Sequence, residues 1–274
     1  MNIAVTGGSG RIGRAVVELA LSRGHAVRNV DRVPWDDTPA NRHVTIDTSD
    51  YAAVEAAFDG CDAVVHLAAY PSPIGNPDHV VHNNNVVGSY NALSAAARLG
   101  INRVCLASSV NATGASYSRW PRYDYFPLDE RHPTYNEDAY SLSKWVLEQQ
   151  ADSFARRYEA MTIGSLRFHW VTPVRPPARM ADGERENTLA RHLWGYTRLE
   201  AAARACLDVL DAQYKGHEAF YIVAPDTMMD QPTRELVQRY FPQTELRAAL
   251  TGNAALYDCG KAERLLGWRH DARG

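Results

Sequence analysis

Tyr140-Ser141-Leu142-Ser143-Lys144 sets a phenol and an ammonium four residues apart, the spacing at which two side chains project from one face of a helix. A cation beside a phenol favours phenolate and draws its pKa towards working pH. A group that takes a proton from an alcohol and later returns it needs that property. Such a pair alone is common on solvated helix faces, so its meaning depends on its surroundings. Upstream, Leu106-Ala107-Ser108-Ser109 closes an apolar run. A hydroxyl at the end of a strand lies at the carboxyl edge of a sheet, where it can bond the oxygen whose proton the tyrosine moves.

The third component is TGGSGRIG at residues 6–13. Gly7, Gly10 and Gly13 stand between an apolar strand at 2–5 and a helix that begins near Arg11 and Ile12, with Gly24 closing it. Glycines there permit a tight turn, close approach of backbone N–H groups to a pyrophosphate, and contact of helix with sheet. The helix N-terminus then faces the phosphates. A second strand at 26–30 ends in Asp31, close to the offset of about 20 residues at which a carboxylate accepts hydrogen bonds from an adenosine ribose. That carboxylate repels a 2′-phosphate, so NAD is expected rather than NADP. Arg32 and Arg11 are the guanidinium groups that would reverse the preference.

These residues need a frame. Further strands are predicted at 43–46, 63–67, 103–107 and 162–168, with helices at 51–58, 79–99 and 139–158 between them. Alternation of this kind gives a parallel sheet with helices on both faces. The expectation is an α/β fold, a Rossmann-type doubly wound parallel sheet with a small C-terminal substrate cap. The main domain spans 1–172. After Val171 the stretch TPVRPPARMADGE reads as loop. A helix at 198–212 and a strand at 219–224 return the chain to the sheet, so residues 195–224 rejoin the main domain. The cap is assigned to 173–194 and 225–274, including a helix at 232–240 and the terminal 256–268. Substrate is expected between sheet and cap, outside the carboxyl ends of the strands.

With 29 basic against 32 acidic residues and a net charge of −3, no global field attracts nucleic acid or an anionic membrane. Neither is expected as a partner. Cys61, Cys105, Cys206 and Cys259 are far apart, without paired metal spacing, and read as reduced thiols of a cytoplasmic protein. With a first strand at residue 2 and no apolar run of membrane-spanning length, neither a signal peptide nor a membrane span is expected. His79 and His82 share a helical face but lack a third ligand nearby, so no metal is expected. Arg167, Arg175 and Arg179 flank the proline-rich loop as candidate grips for a carboxylate or phosphate.

Glycine loop, strand-end serine and Tyr-x-x-x-Lys, in this order, resemble the extended short-chain dehydrogenase/reductase superfamily, the branch of NAD-dependent epimerases, dehydratases and sugar dehydrogenases. Further likenesses are Asp47, matching an acidic residue near the adenine, His66-Leu67-Ala68-Ala69 after the fourth strand, Asn84-Asn85-Val86-Val87-Gly88-Ser89, and the closing KAERLLGW. The resemblance implies Ser109, Tyr140 and Lys144 as catalytic residues and Asn85 as a supporting, cofactor-side position. It places Asp47, Leu67, Ala68 and Ala69 with the glycine loop, Asp31, Arg32, Tyr140 and Lys144 around the cofactor, and Ser109, Val110, Asn111 and Arg175 on the substrate.

Departures narrow the chemistry. Val110-Asn111 stands where dehydratases carry Asp-Glu, which disfavours water elimination. Ala112-Thr113-Gly114 replaces the Val-Tyr-Gly of many epimerases, while ASSVNATG is similar to the segment of short uronate dehydrogenases. The implied function is NAD-dependent hydride transfer at a hydroxyl-bearing carbon of a sugar or nucleotide-sugar, with epimerase and dehydrogenase outcomes both open. The alternatives are a uronate-like sugar-acid dehydrogenase releasing NADH, or a non-catalytic NAD(P)-sensing regulator. The helices at 79–99 and 139–158 match those that pair across a two-fold axis in the family, which implies a homodimer.

Overall fold

The computed structural model describes residues 1–177 and 184–271. Strands β1 (Asn2–Thr6), β2 (Ala26–Asp31), β3 (Arg42–Thr45), β4 (Ala63–His66), β5 (Arg103–Ser109), β6 (Thr162–Phe168) and β7 (Gly216–Ile222) form one sheet, parallel throughout, in the order β3-β2-β1-β4-β5-β6-β7. The chain winds outward from β1 in one direction and from β4 in the other. The crevice at this reversal opens where the carboxyl ends of β1 and β4 lie side by side, with Thr6 opposite His66.

Strand alternation sends the apolar side chains into two layers. Ile3 and Val5 pack with α1 (Arg11–Ser22) and α6 (Leu199–Asp211). Ala4 and Val64 pack with α2 (Tyr51–Phe58), α3 (Asp78–Arg98) and α4 (Ala139–Arg157). Helix α4 starts sharply because the Asp138 carboxylate accepts from the Ser141 backbone N–H at 2.9 Å, satisfying a donor left free in a first turn. That cap fixes where Tyr140 and Lys144 point. No helix among the described residues is long and apolar enough to cross a membrane.

The boundary differences that bear on the site and the sheet fall on two strands. Strand β5 runs on to Ser109, so both serines belong to the strand and the turn comes after them. Strand β7 begins earlier, at Gly216, and ends at Ile222. The cap also has a different make-up. Its apolar cluster joins Leu193 and Trp194, which follow α5 (Glu184–Arg191), with Leu236 and Val237 of α7 (Thr233–Tyr240). To these it adds Tyr123, Phe126 and Leu128 from a stretch the sequence assigned to the main domain. Tyr125–Phe126 pairs with Glu245–Leu246, clipping that stretch to the cap.

The chain end goes the other way. Helix α8 (Gly260–Leu266) stops at Gly267, whose φ of +67° turns the chain, and the Trp268 indole N–H donates to the Ala201 carbonyl at 2.9 Å in α6. Ala262 and Trp268 are therefore part of the α1/α6 layer. The apolar cluster of the cap thus draws on several separated segments, while α8 packs with the sheet layer rather than with that cluster.

Candidate active site

The glycine loop is closed on itself and against β2. Gly7, at φ +67°, donates its N–H to the Val30 carbonyl at 2.9 Å, and Gly10 donates to the Gly7 carbonyl at 3.0 Å. A Cβ on Gly7 would fall 2.7 Å from the Ala68 nitrogen, and one on Gly13 would fall 2.1 Å from the Gly7 carbonyl oxygen. Backbone thus occupies the space of side chains at both positions, and the loop, α1 and the exit of β4 meet at van der Waals distance. Beside it runs a cleft of about 280 Å³, lined in part by Gly7, Gly10, Asp31, Arg32, Asp47, Leu67, Ala68 and Ala69. Bare backbone and a helix N-terminus at one part and carboxylates at another fit a pyrophosphate and a ribose diol respectively. Ile12 and Leu67 turn their side chains to the core.

The Asp31 carboxylate accepts from the Ser9 backbone N–H at 3.0 Å and from that of Val33 at 2.9 Å, and an ionised carboxylate keeps further lone pairs for ligand hydroxyls. Asp47 accepts from the Ser49 N–H at 2.8 Å, and this bond holds its carboxyl below the usual carboxylate range, with the Arg32 charge contributing. Arg32 lies over the Tyr70 ring at 4.9 Å. Arg11 is anchored elsewhere, on the Val171 carbonyl at 3.0 Å. Two fixed carboxylates against one nearby guanidinium predict that NAD binds more tightly than NADP, by about 1–3 kcal/mol, and that Asp31→Ser narrows the gap. Calorimetric titration with both dinucleotides measures it, and equal or tighter NADP binding would assign Arg32 to the 2′-phosphate.

Ser109, Tyr140 and Lys144 converge at the end of β5, and all three are buried. The Ser109 hydroxyl oxygen accepts from the Asn111 backbone N–H and side-chain amide, both at 3.2 Å, and the hydroxyl lies beside the Tyr140 phenol. Lys144 Nζ donates to the Ala107 carbonyl at 2.7 Å and stands 5.7 Å from the centre of the Tyr140 ring. Burial draws this ammonium down to about 8, against the opposing charge of Glu148. The phenol, by contrast, is pushed up by burial, and the neighbouring Ser109 hydroxyl offsets only part of that rise. The expectation that Lys144 lowers it is corrected: burial sets the direction, and the ammonium is turned to the Ala107 carbonyl.

The profile of the NAD dependent epimerase/dehydratase family matches residues 3–193. The chain belongs to this family. L-arabinose 1-dehydrogenase (NAD(P)(+)) of Haloferax volcanii is 30% identical over 199 residues, covering 70% of this chain and 76% of that protein. The UDP-glucose 4-epimerase of Thermus thermophilus, solved with NAD, shares the fold at a TM-score of 0.70 and 22% identity, covering 100% of this chain and 95% of that one. A mutated uronate dehydrogenase does so at 0.71 and 22%, covering 99% and 82%. In a chain of the NAD-dependent epimerase/dehydratase family, the glycine cradle and the carboxylate rim are suited to the dinucleotide.

Other anticipated residues are placed differently. Asn85 is buried and spends its amide on both backbone groups of Tyr70 and on Ser143 Oγ. It braces the wall, while Asn84 lines the cleft. Asn111 holds Ser109 and the Ser116 N–H, and Val110 packs into the cap core. Arg175 pairs with Asp226 at 3.1 Å and donates to the Thr227 carbonyl at 3.0 Å. Arg167 is buried against Glu148, which corrects its reading as an anion grip, and Arg179 lies outside the described residues. His79 is exposed and His82 bonds Asn83 at 3.2 Å. Sequence reasoning passed over Thr6, whose hydroxyl bonds His66 Nδ1 at 2.8 Å and accepts from the Leu67 and Ala68 N–H groups. A polar residue closing a buried strand was its signal.

Proposed function

We propose that this protein is an NAD-linked oxidoreductase acting at a hydroxyl-bearing carbon of a sugar-like substrate. The observation that carries the reading is the convergence of Ser109, Tyr140 and Lys144, all buried, at the end of β5, with the Lys144 ammonium held on the Ala107 carbonyl at 2.7 Å. Because the Ser109 oxygen is filled by two donors from Asn111, its proton is left to point at Tyr140 or at a substrate oxygen beside it. Tyr140, as phenolate, takes the hydroxyl proton as the C–H hydrogen leaves with its electron pair and the C=O bond forms; Lys144 balances the phenolate charge. Bound NAD supplies the hydride acceptor at nicotinamide C4 and a positive ring that favours the phenolate.

A net dehydrogenase of a free sugar or sugar acid is favoured over a nucleotide-sugar epimerase by one observation. Arg175, the cation anticipated on the substrate, is paired with Asp226 rather than left for a diphosphate. The names of the arabinose and uronate dehydrogenases to which the chain is similar support the same class. Incubation with NAD and a panel of pentoses, uronic acids and UDP-sugars tests this. Growth of the reduced-nicotinamide band means dehydrogenase, and an isomerised sugar without the band means epimerase. If no sugar reacts while NAD binds, a sensing role is the better reading. For assembly we propose a homodimer through α3 and α4, whose Val87, Tyr90 and Leu142 are exposed. Light scattering at micromolar concentration is expected to give twice the chain mass, and a monomer mass contradicts it.

A further inference from the structure

Helix α4 carries a buried charge that proton transfer does not use. Glu148 follows Lys144 by one turn and is 4% exposed. One of its oxygens accepts from Ser108 Oγ at 2.6 Å and Arg167 Nε at 2.9 Å, and the other accepts from Arg167 Nη2 at 2.8 Å. Ser108 is the chain neighbour of Ser109. On its other side stands Ala107, whose carbonyl receives Lys144. Arg167 sits opposite Ser108 in the pairing of β6 with β5. A single carboxylate therefore joins α4, β5 and β6 at the level of the reacting groups. Apolar side chains fill such a position at equal or better stability, because desolvating an ion pair offsets its attraction.

We infer that Glu148 is a positioning residue for Ser109, Tyr140 and Lys144, fixing the end of β5 through Ser108 and Arg167 and holding the Lys144 ammonium in place by its charge. The inference rests on the function proposed above. The charged and titratable groups bearing on Lys144 are Tyr140 and Glu148 on its own helix, Arg167 of β6 through its pairing with Glu148, and His66 on β4. Burial draws His66 down to about 3, so it stays uncharged, and its Nδ1 is engaged by Thr6. Glu148 remains ionised because the charge and hydrogen bonds of Arg167, together with the bond from Ser108, outweigh burial. It is the negative charge that acts on Lys144.

Two variants separate positioning from stability: Glu148→Gln, which strands the Arg167 charge, and the double variant Glu148→Leu/Arg167→Met, which removes the pair together. Titration of Lys144 is followed by NMR of ¹³C-labelled lysine, assigned with Lys144→Met, beside thermal melting and NAD titration across neutral and alkaline pH. Glu148→Gln is expected to lower both the melting temperature and the Lys144 midpoint, the latter by about one pH unit or more. The double variant should recover the melting temperature and keep the lowered midpoint, with the alkaline loss of NAD affinity moved to match. A Lys144 midpoint unchanged in the double variant overturns the inference and leaves Glu148 a structural residue. Because the lysine titrates whether or not a sugar reacts, failure of the proposed activity is read separately, from the substrate panel.

Discussion

Tyr140→Phe is expected to lower turnover by about a hundredfold or more, the usual contribution of positioned proton transfer, with NAD affinity and melting temperature close to wild type. Only the hydroxyl is removed. The ring keeps its packing, including the edge contact with Tyr117 at 5.8 Å between centroids, and Ser109 keeps its two bonds from Asn111. Ser109→Ala should lose less, because the proton carrier remains and only the orientation of the substrate oxygen suffers. Steady-state kinetics on a substrate that gives wild-type turnover measures both. Full turnover by Tyr140→Phe would contradict the assignment of this phenol as the proton carrier.

Gly13→Ala tests the cradle. The added methyl would lie 2.1 Å from the Gly7 carbonyl oxygen and 2.6 Å from the Gly8 Cα, and neither can yield locally. Gly7 is hydrogen-bonded to Val30 and Gly10, and the backbone of Leu67 and Ala68 stands so close to it that not even a Cβ would fit between them. Overpacking of this kind costs about 1–3 kcal/mol, and the relief available is for α1 to move away from the loop. The N–H groups of the loop then lose their alignment, so NAD affinity is expected to fall by about tenfold or more. Gly24→Ala is the control. It meets no atom within 4 Å, yet its φ of +78° strains any side chain, so it should lower the melting temperature and leave NAD affinity unchanged. Equal loss of affinity in the two variants would mean that Gly13 acts through global stability alone.

The sequence shows the parallel sheet and the glycine loop plainly because their signals are local: strand, glycines and amphipathic helix follow one another within a few residues. The cap is less legible. Tyr123, Phe126 and Leu128 form their core with Trp194 and Leu236, far along the chain, and carry no helical or strand period by which that partnership could be read. At the site, residue types were readable and the directions of their polar atoms were not. The amides of Asn85 and Asn111 are spent on neighbouring backbone and hydroxyl groups, which spacing does not reveal. Tyr140 and Lys144 share a face as their spacing requires. Burial, which the spacing leaves out, decides the direction of both shifts. Glu148 stood at the next turn of the same face, but a glutamate on a helix ordinarily faces water, and only the arrival of Arg167 from β6 makes it a buried partner.

A deuterium placed on the hydroxyl-bearing carbon of a reacting sugar reports whether that hydrogen leaves as hydride. Hydride transfer assisted by Tyr140 predicts that the label moves to nicotinamide C4, appearing in the reduced cofactor of a dehydrogenase or back on the inverted carbon of an epimerised product, with none released to water. Label washed out into solvent would contradict it, because the hydrogen would then have left as a proton.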